Sequence, residues 1–375
     1  MEQHTALVVN NELSDGFDDQ TGEEDLPSPE IPKEERKLRT QSYDMTITDL
    51  VKKIEKKKLI LDPDYQRNYL WDDKKASLLI ESVLLNVPIP VIYVAQDKDN
   101  KWTVIDGLQR LHSLRRFYKN KLKLTKLDVL TELNNLTYEN LPPRAKTLLE
   151  FAMLRVITIL EETHPEIKYD IFMRLNRGSV ELNEQELRNC LYRGKFIQNI
   201  KELVKNNTTF LKLLKLKEPH KRFIDAELIL RFFAIHDAYD FKTKKLDYPG
   251  TMKTFLNNYM EKNKNLPDER FSELKTLFNE TVDKVNTSLG EFAFRRPKTD
   301  GSYDSKINRA LSDVVMLCFS MLDYDTCRGN SEIHKNTIKT LCADKDFIDA
   351  ISYSTSLAVR IETRLKMGLE AFHIL

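Results

Sequence analysis

The sequence predicts an α+β domain, a small mixed sheet with helices, followed by a mostly α-helical domain. Three observations carry that expectation. Trp102-Thr103-Val104-Ile105 is β-branched and aromatic, and Asp106-Gly107 turns it straight into a helix with apolar residues at Leu111, Leu114, Phe117 and Tyr118. Short apolar runs at 59–61, 91–95 and 156–160 read as further strands. From residue 196 onward, apolar residues recur three and four apart in segment after segment.

A chain of 375 residues can bury a large core and hold two domains. With 41% hydrophobic and 31% charged residues it reads as soluble and globular. The formal net charge of +1 excludes a global field that would attract nucleic acid or an anionic membrane, leaving only a local patch. Cys190, Cys318, Cys327 and Cys342 show no CxxC spacing and no neighbouring histidine cluster. Neither a zinc site nor a disulfide framework is expected, and reduced thiols in the cytoplasm are. No apolar run reaches membrane-spanning length and the N-terminus does not read as a signal peptide, so no membrane partner is expected.

Residues 1–38 form an acidic tail broken by Pro27, Pro29 and Pro32. It has too little apolar surface to offset the entropy of ordering, and disorder or a tether is expected. Such a tail can shield a basic site, bind a partner or simply solubilise. The first domain, 39–195, takes shape from about Tyr43. Ile47, Leu50, Val51 and Ile54 make one helical stripe, with Thr48 as its cap and Lys56 to Lys58 as a solvated last turn. After the run 59–61 comes Asp62-Pro63-Asp64-Tyr65-Gln66-Arg67-Asn68-Tyr69-Leu70-Trp71. Aromatic faces here can stack a base and Arg67 can bind phosphate; a packed loop of half-buried tyrosines fits equally. Lys75 to Leu85 reads as a helix, with Glu81 as either a surface residue or a site residue. Asn86 to Pro90 breaks it, and Asp97 to Lys101 is a hairpin turn into the central strand.

Ile167, Ile171, Phe172 and Leu175 give another helix one apolar face, with Gly178 as its stop. Asn183 and Glu186 have the spacing of a capping box, which gives Glu186 a structural task in a helix running to Arg193. In the helical domain, 196–375, the clearest segments are 196–205, 226–233, 251–260, 271–285 and 307–322. Lys201 to Arg222 is lysine-rich, either a solvated face or a nucleic-acid or partner face. His220, His236 and His334 are isolated, which favours surface or core roles over ligation.

The Asp106–Arg110 corner has chemical possibilities. Backbone N–H groups at a helix start lack intrahelical partners and suit an anion. Gly107 permits close approach of a ligand, Arg110 can fork onto a phosphate, and Asp106 can hold a metal or orient a water. An ordinary strand-to-helix turn with a solvated Asp and Arg accounts for the same residues.

The order YQRNYLW, ESVLLNVPIP, a strand, then IDGLQRLHSLRRF resembles the N-terminal domain family of GmrSD-type modification-dependent restriction systems. Its hallmark is an Asp-Gly-Gln-Gln-Arg motif in a ParB/sulfiredoxin-like fold. Asp106, Gly107, Gln109 and Arg110 match; Leu108 stands at the first glutamine, so one amide is missing. Tyr169 to Gly178 resembles the second block, a Phe-x-x-x-Asn helix end followed by a polar loop, and the likeness covers roughly residues 43–195. Looser matches occur at Phe255-Leu256-Asn257 and Phe292 to Pro297.

The resemblance implies a nucleotide-binding, NTP-hydrolysing module of a prokaryotic defence system. Asp106, Gln109 and Arg110 would be catalytic. Gly107, Tyr65, Gln66, Arg67, Asn176 and Arg177 would bind the nucleotide, with Mg2+ as the accompanying ion. The HNH-like nuclease half usual in such proteins has no matching motif after residue 196. The chain is therefore expected to be the nucleotide-sensing half alone, with DNA, a separate nuclease or ATPase of the same system, or further copies of itself as partners. Two alternatives remain: a binding module for DNA or nucleotide without turnover, or a ParB-like domain that itself nicks DNA.

Overall fold

The computed structural model describes residues 17–18, 37–61, 71–176, 183–298 and 300–374. The chain divides into two compact units, one of residues 31–182 and one of residues 1–30 with 183–375.

The first unit is organised by a five-stranded mixed sheet. Its elements are β1 (Thr40–Thr46), α1 (Ile47–Glu55), β2 (Leu59–Ile60), α2 (Asp73–Leu84), β3 (Ile92–Gln96), β4 (Trp102–Asp106), α3 (Leu108–Tyr118), α4 (Pro143–Phe151), β5 (Met153–Ile159) and α5 (Pro165–Asn176). The strand order is β1-β5-β3-β4-β2. β1 pairs antiparallel with β5 and β3 with β4, while β5/β3 and β4/β2 are parallel. β4 is interior and buries Trp102 through Ile105, which is why its sequence is a continuous apolar and β-branched run. The 97–101 turn is a hairpin in which Asp97 accepts backbone N–H bonds from Asp99 and Lys101 at 2.9 and 2.8 Å.

Several local readings change. The cap of α1 is Thr46, not Thr48. The Thr46 hydroxyl accepts from the Asp49 backbone N–H at 3.0 Å and donates to the Asp49 carboxylate at 2.8 Å, because the helix begins at Ile47, two residues earlier than a Thr48 cap implies. β1 had no strand signal, since a half-exposed edge strand shows little apolar alternation. On α5 the fully buried residues are Tyr169 and Phe172, while Ile167, Ile171 and Leu175 are half-buried. Glu81 is neither a surface nor a site residue. It is buried in α2, and its carboxylate accepts the backbone N–H groups of Asp128, Val129 and Leu130 at 3.2, 2.8 and 2.7 Å. Burial alone would raise this carboxyl; the three donors, Leu130 foremost, hold it below the ordinary glutamate value.

The second unit is helical: α6 (Glu184–Leu191), α7 (Lys195–Asn206), α8 (Thr208–Leu213), α9 (Ile224–Ala238), the small hairpin β6 (Tyr239–Asp240) and β7 (Lys245–Leu246), then α10 (Met252–Asn263), α11 (Asp268–Leu289), α12 (Arg309–Met321), α13 (Tyr324–Gly329), α14 (Ser331–Ala343), α15 (Lys345–Ser352) and α16 (Ala358–Ala371). Asn183 and Glu186 do form the capping box of α6. α9 and α12 are the central helices, buried almost all round. A buried ionic network runs through their apolar packing. Arg231 forks onto Asp313 at 2.9 and 2.7 Å, Arg364 of α16 adds 2.8 Å to the same carboxylate, and Arg188 of α6 pairs with Glu227 at 3.0 Å. His334 is buried against Phe319 and Phe372, with its Nδ1 2.6 Å from the Ser288 hydroxyl, and burial lowers its pKa.

The expectation of a disordered tail over 1–38 meets a finding at Phe17 and Asp18. Phe17 is 1% exposed in the core of the helical unit and bridges Ile307. The rest of that expectation, apart from residues 37 and 38, lies outside the described residues. Cys190, Cys318, Cys327 and Cys342 are free thiols; burial pushes that of Cys327 up to about 11.

Glu81→Gln is expected to destabilise the sheet unit by about 1–3 kcal/mol at neutral pH, since three backbone donors lose a buried, charged acceptor. A carboxyl whose folded pKa is depressed contributes stability above its unfolded pKa, about 4.3, and loses it as pH falls through the lower folded value. Urea titrations should therefore show a constant gap between the proteins above that pH and a narrowing gap below it.

Candidate functional site

The corner that joins β4 to α3 is set by three local features. The first is a register shift in the β3/β4 ladder. Val94 faces Val104 but the next residue, Tyr93, faces Asp106, so Ile105 is an extra residue that turns Asp106 out of the regular alternation. The second is Gly107, the residue before α3, which adopts φ 97° and ψ 11°. A Cβ there would sit 3.0 Å from Ile92 Cγ1, so both the backbone sign and the space call for glycine. The third is that no side chain caps α3. Its first turn starts immediately behind Gly107, with Leu111 N–H bonding the Gly107 carbonyl at 2.9 Å.

Arg110 is the tie of this corner. Its Nη2 donates to Asp106 Oδ2 at 2.8 Å, and its Nη1 donates to the carbonyls of Pro90 and of Val91, the latter at 3.3 Å. The Arg110 side chain is only 11% exposed and the Asp106 side chain 29%. Arg110 thus fastens the end of the Asn86–Pro90 loop to the start of α3. That loop begins where Asn86, at φ 54°, ends α2 and the Val87 N–H reaches back to Ser82 O at 2.8 Å. A free arginine waiting for phosphate was the sequence expectation; the structure gives its donors three protein acceptors.

Gln109 lies in the first turn of α3, beside this tie. His112 follows one turn on, half-buried, and burial with Arg116 and Arg115 lowers its pKa. α5 packs beside β4, which brings the helix that ends at Asn176 next to the strand that ends at Asp106. Arg177, Tyr65, Gln66 and Arg67 lie outside the described residues. Trp71 is half-buried with the Lys75 ammonium 5.1 Å from its ring centre. Among the described residues no group of three or more His, Cys, Asp or Glu converges to hold a metal ion.

Residues 47–193 match the family model of the GmrSD restriction endonuclease N-terminal domain. The chain carries a GmrSD N-terminal domain. The match spans the sheet unit from α1 onward and continues through α6. No curated protein and no solved structure is significantly similar to the chain. Among the described residues no helix is long and apolar enough to cross a membrane.

One feature of this GmrSD domain has no counterpart in the sequence reading. A groove of about 300 Å³ runs between α1 and α3, lined by Thr48, Val51, Lys52, Glu55, Lys56, Tyr118 and Lys119. Residues 107–127 contain seven Lys or Arg and no Asp or Glu, and residues 52–58 contain five Lys and one Glu. That one acid, Glu55, is bound by Arg115 at 2.9 Å and Lys119 at 3.1 Å, which lower its pKa. In sequence Lys56 to Lys58 read as a solvated helix end; folding puts α1 beside α3.

Gly107→Ala is expected to lower the stability of the sheet unit by about 1–3 kcal/mol through its left-handed φ and the Ile92 contact. A denaturation curve for the variant that overlays the wild type would remove the assigned role of Gly107.

Proposed function

We propose that the GmrSD domain binds a nucleoside triphosphate at the Asp106–Arg110 corner and hydrolyses it, as the regulatory module of a prokaryotic defence system directed at foreign DNA. The observation that supports this reading is the coincidence of the family motif with a glycine turn into a helix start that no side chain caps. Gly107 and the first backbone N–H groups of α3 would cradle phosphate. Gln109 would orient the attacking water. Asp106 keeps one oxygen on Arg110 and, partly exposed, can lend its carboxylate to a substrate-bound Mg2+. Such an ion is satisfied by one or two carboxylates plus phosphate oxygens, so the corner fits it without a dedicated ligand cluster.

Arg110 enters this reading mainly as a positioning residue, holding the corner in shape and adding positive potential from just behind it. Arg67 would neutralise phosphate from the 62–71 segment. Tyr65 or Trp71 would stack the base, Gln66 would add a polar contact, and Asn176 with Arg177 would close the pocket from the second block.

The test is phosphate release from GTP, ATP, CTP and UTP with magnesium, with and without DNA. Wild type should release phosphate from at least one of them, and Gln109→Ala should lower the rate by about 100-fold or more. Arg110→Ala should lower both rate and stability. A folded wild type that releases nothing from any nucleotide would overturn the reading.

A second reading, a DNA-binding module, is favoured by the α1/α3 groove. Its lysines would contact phosphates, and each contact contributes about 0.9 to the slope of log affinity against log salt. Charge reversal at Lys52, Lys56 and Lys119 together is expected to weaken duplex binding and to flatten that slope by about 2–3. An unchanged slope would place any DNA contact elsewhere.

A further inference from the structure

Phe17 and Asp18 make a small set of contacts on the helical unit, and each is of a kind that recognises a peptide. The Phe17 ring is 1% exposed and meets the His220 imidazole edge-on, with centroids 5.4 Å apart and planes at 75°. The backbone runs parallel to Ile307, and the Asp18 N–H donates to the Ile307 carbonyl at 2.8 Å. The Asp18 carboxylate accepts the backbone N–H of Arg309, first residue of α12, at 3.3 Å, and the Arg309 Nε lies 3.8 Å from it. An aromatic pocket, a backbone acceptor and a cationic helix start thus read an aromatic residue followed by an acid.

The receiving residues are held by bonds among themselves and their neighbours. Asn308 caps α12 through the Leu311 N–H at 2.7 Å and is anchored by its own Nδ2 to the Ile351 carbonyl at 2.8 Å. His220 is held by the Arg222 backbone N–H on its Nδ1 at 3.2 Å, while the His220 backbone N–H donates to the Asp225 carboxylate at 2.6 Å. Arg309 also reaches Glu227 at 3.8 Å. The ligand side is distinct in sequence. Phe17 is the lone large apolar residue between Leu13 and Leu26, and residues 11–25 hold seven acids and no cation. The segment ending beside the pocket, Lys201 to Arg222, holds seven cations and two acids. That charge complementarity argues for the chain's own N-terminal segment as occupant. Burial raises the Asp18 carboxyl above its ordinary value despite Arg309 and Arg231, so its charge is tolerated there rather than strongly favoured.

We propose that the face of the helical unit formed by His220, Ile307 and Arg309 is a docking site for an aromatic–acidic peptide, and that its ligand is the chain's own Phe17-Asp18, bound as a releasable strap. The site recognises a side-chain pair and one backbone strand, so the same sequence supplied separately binds it once the resident copy is removed. The site is formed by residues of the helical unit alone.

The test uses the full chain carrying Phe17→Ala and Asp18→Asn and a fluorescent peptide of residues 11–24. Anisotropy should show the peptide binding the variant at least tenfold more tightly than the wild type, whose site is filled. Binding should weaken as salt is raised from 50 to 300 mM, and a peptide carrying the same two substitutions should fail to bind. Equal binding to both proteins, or binding to neither when both unfold cooperatively, overturns the proposal. A double variant that no longer folds also overturns it, because Phe17 is then an inseparable part of the core. Full-chain Asp18→Asn alone separates these cases: strap release should make residues 17–18 exchange amide hydrogens faster while α12 stays protected.

Discussion

A guanidinium shared between one carboxylate and two backbone carbonyls joins the parts of the sheet unit that must meet at its corner. Arg110 holds the last turn of the 86–90 loop, the end of β4 and the start of α3 in one place. Charge-assisted bonds of this kind are stronger than neutral ones, and stranding a buried acceptor costs more than the bond contributes. The bulge at Ile105 and the left-handed turn at Gly107 are tolerated because this tie over-determines them. A residue that reads in sequence as a phosphate ligand thereby gains a prior architectural task, and any ligand at the corner meets a backbone already fixed.

The helical unit relies on the same type of contact in a drier setting. Asp313 is shared by Arg231 and Arg364, and Glu227 is approached by Arg188, Arg231 and Arg309. Buried ion pairs contribute little net stability over apolar packing of the same shape, but removing one member costs about 3–5 kcal/mol. Their geometric demand fixes how α6, α9, α12 and α16 rotate against one another, which apolar packing alone specifies less sharply. α6 lies at the end of the family match, so this network ties the last matched helix to the unmatched ones.

Much of the fold was legible because it follows local rules. The strand-turn-helix at 102–118, the capping box at Asn183 and Glu186, and the helices α7, α9, α10, α11 and α12 announce themselves by periodicity and punctuation. What could not be read depends on residues far apart in the chain. β1 is defined by its partner β5, not by its own pattern. Glu81 is defined by three amides some fifty positions later. Arg110 looked free because its acceptors are main-chain carbonyls that any sequence would supply, placed by a loop. The α1/α3 groove was missed because neither lysine cluster is unusual alone. At the candidate site the corner residues were found by motif, and their mutual contacts were not.

The pairing of Thr40 with Ile159 carries a consequence for how this domain is made. The first strand of the sheet closes against the last, so it has no partner until nearly 120 further residues have been synthesised. Until β5 emerges from the ribosome, β1 remains an unpaired edge and β3 lacks one of its two neighbours. Contacts so distant in sequence are closed late and slowly, and exposed strands invite pairing with other chains meanwhile. The domain therefore has an interval of vulnerability during translation whose length is set by the ribosome's speed, and synonymous codon choice between residues 46 and 153 becomes a property that its yield can feel.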